Sequence, residues 1–129
     1  MAHSLFDRNA LAERMGNDPA TQREIIELFL DIQPQKVNEL AQAVARDDAR
    51  HARAIAHSLA GAFRSMAMPK LGDTAKALER AAAGADLDEC RTLFLELDEL
   101  FARVCAEVSD DPDARYHSGM RVEVLQSTI

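Results

Sequence analysis

Four histidines, two cysteines and a scatter of carboxylates are the groups in this 129-residue sequence that could do chemistry. An imidazole can be a nucleophile, a metal ligand or a general base, and its neighbours decide which. Two of the histidines share a tetrapeptide, "AHSL", found at Ala2–Leu5 and again at Ala56–Leu59. The first copy precedes any helical pattern, and its i+4 residue is the probable cap Asp7, so His3 reads as part of a terminus. The second copy lies in a strongly patterned segment. With Ile55 at zero on a helical wheel, Ala52, Leu59, Ala62, Phe63 and Met66 fall between about −20° and 80°, a core face. His57 falls at about 200°, nearly opposite, and is expected in solvent.

The company of His57 narrows the chemistry. Arg53, Ala60, Gly61 and Arg64 share its expected face. Glycine inside a helix costs roughly 1 kcal/mol against alanine, so Gly61 has to be justified by the space it clears beside the ring. Helical side chains lean toward the N-terminus, which carries Arg64 back over Ala60 toward His57 and Arg53 away from it. The pattern is an exposed imidazole with room and positive charge around it, suited to an anionic visitor. An unperturbed imidazole titrates near ~6.5, so an exposed one is largely neutral and nucleophilic at neutral pH.

Other chemistries lack their residues. A carboxylate-bridged metal bundle needs two Glu-x-x-His motifs and further inward glutamates, whereas the chain offers only Asp48-x-x-His51. His51 and His57 are about 240° apart on the wheel and cannot share an ion. His51 itself, near −40°, is expected to be a partly buried spacer on the core edge. Zinc spacing, a hydrolase triad and a glycine-rich phosphate loop are absent. Cys90 and Cys105 belong to one expected helix, about 22 Å apart, too far for a disulfide.

Positioning these groups requires helices. Ala, Leu, Glu and Arg dominate, β-branched runs are few, and 47% of residues are hydrophobic with no Trp, a composition that favours helix. Asp7 to Met15 reads as a short helix ended by Gly16. Asp18 and Pro19 start a second, which runs to about Val44 with Pro34 inside it; the proline is expected to kink or divide it. Asp47 or Asp48 starts a third that ends near Met66. A fourth begins near Pro69, places Leu71, Ala75, Leu78 and Ala82 on one face, and ends at Gly84. "DLDE" at 86–89 is a capping box for a fifth, which carries Cys90, Leu93, Leu97, Leu100, Val104 and Val108 as a seam. Short joints make neighbouring helices antiparallel. The expected fold is all-α, an antiparallel up-down four-helix bundle with a short additional N-terminal helix over one end. Residues 1–109 form this domain and 110–129, with His117, form a C-terminal extension of turn residues.

The net charge of −7 argues against nucleic-acid binding. Charge is uneven, however: residues 46–80 carry seven Lys/Arg against four Asp/Glu, a local +3, and the remainder carries −10. An acidic partner suits that basic segment. No leader pattern, no membrane-length apolar run and no disulfide framework is visible, so the expectation is a soluble, cytoplasmic protein, most simply a monomer.

The stretch "AHSLAGAFRSMAMPKLGDTAKALE" resembles the signature of histidine-containing phosphotransfer (HPt) domains: a helix with His-x-Leu-Lys-Gly, a turn, then a helix with Leu and a closing Leu-Glu. His57, Leu59, Gly61, Leu71, Leu78 and Glu79 fall where that family has them. "FDRNALAERMGNDPATQREIIELFL" is similar to the family's opening helices, and the resemblance spans about residues 5–109. It implies a phosphorelay intermediate. His57 would take a phosphoryl group from the phospho-aspartate of a receiver domain, or of a hybrid sensor histidine kinase, and pass it to another receiver. Mg²⁺ would come with the receiver, and no cofactor is expected on this chain. One departure stands out: the family's Lys three residues after the histidine is Ala60 here. Three options follow: Arg64 substitutes for it, which is the favoured reading, the partner supplies the charge, or transfer is slow. The runner-up reading is an adaptor that keeps the receiver-binding face without being phosphorylated. A third is a dimer whose C-terminal tail exchanges between subunits.

Overall fold

Aspartate starts four of the helices. Asp7, Asp18, Asp48 and Asp86 accept from the backbone N–H of Ala10 (3.0 Å), Ala20 (3.2 Å), His51 (3.1 Å) and Glu89 (3.1 Å). Each carboxylate satisfies a first-turn donor that no helical carbonyl can reach. A computed structural model describes residues 5–108 of the chain. Its elements are α1 (Arg8–Met15), α2 (Pro19–Ala45), α3 (Ala49–Ser65), α4 (Pro69–Ala83) and α5 (Leu87–Val108), with no strand among the described residues. Pro19 and Pro69 occupy first-turn positions, where the missing N–H is no loss. The C-terminal extension, His3 and His117 lie outside the described residues.

The helix boundaries follow the sequence closely, with two departures, at Pro34 and His51. Pro34 does not divide the second helix: α2 runs unbroken for 27 residues. The ring forfeits one backbone hydrogen bond, but Phe29 precedes it and Val37 and Leu40 follow it in the core, so packing holds the turns on both sides. His51 is exposed, not a half-buried spacer, because it lies in the first turn of α3. Gly84 ends α4 as expected, as its C-cap. Its φ is −87° and the left-handed residue is Ala85, at φ 56°.

Ala85 belongs to a pattern. Asp47, Ala67 and Ala85 all have positive φ, each just beyond a helix cap. In each case the next N–H reaches back five residues: Asp48 to Ala43 O, Met68 to Phe63 O, and Asp86 to Ala81 O, all at 2.9 Å. This is the Schellman closure, built here without glycine at the strained position. The closures turn the chain within a few residues, so α2, α3, α4 and α5 follow one another through tight joints.

Packing closes a ring: α2 contacts α3 and α5, α3 contacts α4, and α4 contacts α5. Phe29 of α2, Phe63 of α3 and Phe101 of α5 meet at its centre, with ring centroids 5.9–6.1 Å apart and planes tilted by 48–59°. Tilted pairs at such spacing are favourable beyond their buried area. The α3–α4 pairing is the most extensive, and small residues allow it: Ala52, Ala56 and Ala60 are buried along α3, as are Gly72 and Ala75 on α4. The short α1 sits where α3 and α5 end. Asp7 N–H donates to Ala67 O at 3.0 Å, the Arg14 guanidinium donates to the carbonyls of Arg64 and Ser65, and Leu5 N–H donates to Glu107 at 3.1 Å. Arg14 thereby ties α1 to the last-turn carbonyls of α3.

Cys90 and Cys105 are both buried, free thiols. Burial pushes the Cys90 thiol above its ordinary value, and the nearby carboxylates of Asp86 and Glu89 add to this against Arg91. It is held protonated and unreactive. No helix among the described residues is long and apolar enough to cross a membrane.

Alanine in the left-handed region costs roughly 1–2 kcal/mol, partly offset in a glycine variant by greater unfolded-chain freedom. Ala85→Gly is therefore expected to raise stability by roughly 1 kcal/mol. Gly84→Ala, whose added Cβ would come no closer than 3.7 Å to any neighbour, should not lower it. Urea midpoints check both; a lower midpoint for Ala85→Gly would contradict the assignment of strain.

Candidate functional site

The site grows from the outer side of α3 where it meets α2 and α4. Three consecutive turns of α3 bury Ile55, Ala56, Leu59, Ala60 and Phe63, which leaves the opposite side to His57, Gly61 and Arg64. The His57 side chain is 71% exposed, as its wheel position implies. Its Nδ1 lies 3.1 Å from Oε2 of Glu79 on α4. The other carboxylate oxygen accepts from Lys76 Nζ at 3.2 Å, one turn earlier on α4. On the other flank, Lys36 of α2 donates to the Ser58 hydroxyl at 2.8 Å.

The Glu79 carboxylate decides the state of the ring. Its side chain is only 14% exposed, and burial works to raise its pKa. Hydrogen bonds from Lys76 and His57, together with the charges of both, outweigh that and hold it below the ordinary 4.5. At neutral pH it is ionised and can only accept. In the neutral form of the ring Nδ1 then carries the proton and the lone pair is on Nε2. Among the described residues no other side chain bonds to the ring. The result is an oriented imidazole with its nucleophilic nitrogen turned away from its anchor.

Gly61 is four residues on. A Cβ built there would meet nothing within 4 Å, so no internal contact requires glycine, and the space beside His57 is open. Arg53 and Arg64 are exposed. The Arg64 stem runs over α4: a Cβ on Gly72 would fall 2.9 Å from its Cγ and 3.8 Å from the Ala60 carbonyl oxygen. Gly72 is thus the residue that lets Arg64 lie in the α3–α4 groove.

The expected placement of Ala60 is corrected: it is 4% exposed and belongs to the core, not to the face of His57. The α3 face that packs is broader than the large apolar residues suggest, because alanines on that flank admit α4. Reading the sequence also missed Lys76, Lys36 and Ser58 as neighbours of the ring. Glu79 entered only through the family pattern. Their signal was faint: Lys76 and Glu79 each follow a seam residue, Ala75 and Leu78, and so sit at the seam's flank, but the register of α4 on α3 is not written in either helix.

The described surface has clefts of about 330 and 480 Å³, both beside α1 and Pro69, and His57 lines neither. Its ring stands on an exposed helical face. An exposed ring of this kind suits a reactant that brings its own pocket. Among the described residues no group of three or more His, Cys, Asp or Glu is arranged to hold a metal ion.

The family model for the Hpt domain matches residues 24–107, more than half of the chain. Comparison with curated proteins and with solved structures gives no match.

Two measurements check this geometry. Gly61→Ala should stabilise the isolated protein by roughly 0.5–1 kcal/mol in urea unfolding, since the fold gains helix propensity and loses no contact; destabilisation would mean the space is structurally required. The lowered pKa of Glu79 has a defined sign. Its contribution to stability is fully present above the ordinary 4.5 and is lost as pH falls through the depressed value. The stability gap between wild type and Glu79→Gln should therefore narrow as pH falls below about 4.5; a gap that widens in acid would contradict the ion pairs.

Proposed function

Because the chain belongs to the Hpt domain family, we propose that it is a phosphorelay intermediate that carries a phosphoryl group on His57. Phosphotransfer in two-component signalling is the general role of such domains, and their partners are receiver domains and kinases. In this reading the four long helices form an antiparallel up-down bundle whose work is to present one imidazole. The observation that carries it is the ring itself, exposed, anchored at Nδ1 by Glu79 and open at Nε2.

The transfer step balances without a proton leaving the site. The Nε2 lone pair attacks the phosphorus of a receiver's aspartyl phosphate. The Nε2–P bond forms as the P–O bond breaks, and the aspartate carboxylate leaves with the electron pair. The ring keeps its Nδ1 proton and becomes cationic, and the Glu79 carboxylate lies against that charge. Donation is the reverse: a second carboxylate attacks phosphorus and the imidazole departs neutral, still protonated at Nδ1. Phosphoryl transfer is mostly positioning and charge neutralisation, so the receiver supplies the acidic pocket and its Mg²⁺, while this chain supplies the nucleophile, clearance at Gly61 and flanking cations including Arg53 and Arg64.

Docking needs apolar area as well. Leu28 and Ile32 are among the exposed large hydrophobic residues, at 58% and 41%. They are one helical turn apart on α2, and Ile32 is one turn from Lys36, whose ammonium touches Ser58 beside His57. This stripe next to the ring is the apolar part of the receiver-binding face in this reading.

Incubation with a phosphorylated receiver domain tests it. Acid-labile, alkali-stable phosphate should appear on the chain and vanish in His57→Gln. Ile32→Asp should slow transfer roughly tenfold, the cost of about 1.4 kcal/mol at a docking contact, while leaving the fold intact by circular dichroism. Receiver binding without transfer would replace this reading with the adaptor one, and label that persists in His57→Gln would remove His57 from it.

A further inference from the structure

A phosphoryl group on His57 would add about −1.5 to −2 charges to an exposed helical face. Something must meet that charge, and position 60 cannot: it holds an alanine, 4% exposed and packed under α4. Four other cations stand on or beside the face. Arg53 is a turn toward the N-terminus of α3, and helical side chains lean that way, away from His57. Arg64 runs its stem over Gly72, into the groove. Lys36 is held by a neutral hydroxyl, Ser58, on the α2 flank. Lys76 differs from all three. Its ammonium is bound to the same carboxylate that binds the imidazole, one oxygen each, at 3.2 and 3.1 Å.

Resting on the phosphorelay reading above, we propose that Lys76 is the phosphoryl-binding cation of this site, held ready by Glu79 and released to the phosphoryl oxygens when His57 is phosphorylated. The exchange follows from the charges. In the attacking form the ring has its lone pair free on Nε2, and Lys76 is the cation paired with Glu79. After transfer the ring is cationic at its protonated Nδ1 and the phosphoryl on Nε2 is dianionic. Glu79 then pairs with the ring, and Lys76 is attracted to the larger negative charge beyond it. Its side chain is 32% exposed on a flexible four-carbon stem, so the ammonium can turn without moving α4. The cation that residue 60 does not provide from the helix of the histidine is thus supplied across the α3–α4 groove. On donation the phosphoryl leaves, the ring is neutral again, and Lys76 returns to Glu79.

Potassium phosphoramidate separates this chemistry from docking, because it phosphorylates histidine without a protein partner. Nε2 attacks phosphorus, the Nε2–P bond forms, the P–N bond of the reagent breaks, and ammonia departs with the electron pair. The full chain is labelled, and the rate of phosphohistidine formation is followed by ³¹P NMR. Lys76→Gln is expected to slow labelling at least fivefold, and Lys76→Arg to recover most of it. Lys36→Gln should stay within twofold of wild type. Phosphorylation should also shift the ¹⁵N ammonium resonance assigned to Lys76, which a merely structural role would not do. Unchanged labelling in Lys76→Gln, or a loss confined to Arg64→Ala, would overturn the assignment of Lys76 while leaving His57 as acceptor. Absence of label on His57 in the wild type would overturn the phosphorelay reading and this proposal with it.

Discussion

The close approach of α4 to α3 is the constraint on which the rest depends. Glu79 can reach the His57 ring at 3.1 Å only because the flank of α3 that meets α4 is built from alanines. Ala56 and Ala60 are buried there, and Gly72 answers from α4, where a Cβ would crowd the Arg64 stem. A leucine at either alanine would have to be accommodated by moving a helix, and a displacement of an ångström or two breaks a hydrogen bond. Small side chains in the interior therefore set a distance at the surface. The phenylalanine cluster of Phe29, Phe63 and Phe101 does complementary work by locking α3 to α2 and α5, so that α4 docks against a fixed frame.

Glu79 holds two opposed demands in balance. Its partial burial raises the cost of its charge, and the hydrogen bonds from Lys76 and His57 more than recover it. A fully exposed carboxylate would be screened and would orient the ring weakly. One buried without partners would protonate and could no longer fix the tautomer. Between those limits it stays ionised, accepts from Nδ1, and leaves Nε2 available. The reactive face needs no cavity for this. A ring on an exposed helical face, with open space at Gly61, suits a partner that carries the enclosed half of the reaction.

Much was legible in the chain. Each helix start was announced by Asp, Pro or both, and each core face by apolar residues three and four apart, because caps and amphipathic periodicity are local physics. His57 could be placed in solvent by the same periodicity, and Gly61 marked as a helical glycine without a structural purpose of its own. The misses share a cause. Pro34 was read by its local cost, but packing on both sides outweighed it. Ala60 was put on the open face because a wheel weights large side chains, whereas a neighbouring helix is admitted by small ones.

The sequence by itself determined which segments are helical, where they begin, and that one imidazole lies opposite a packed stripe, since these follow from interactions within a few residues. Only the tertiary structure decided what stands beside that imidazole. Glu79 is 22 residues away from His57 and Lys36 is 22 from Ser58. Their encounters depend on the register and separation of helix pairs. Those are set by how alanines, a glycine and three phenylalanines fill one shared interior, and no single helix encodes that.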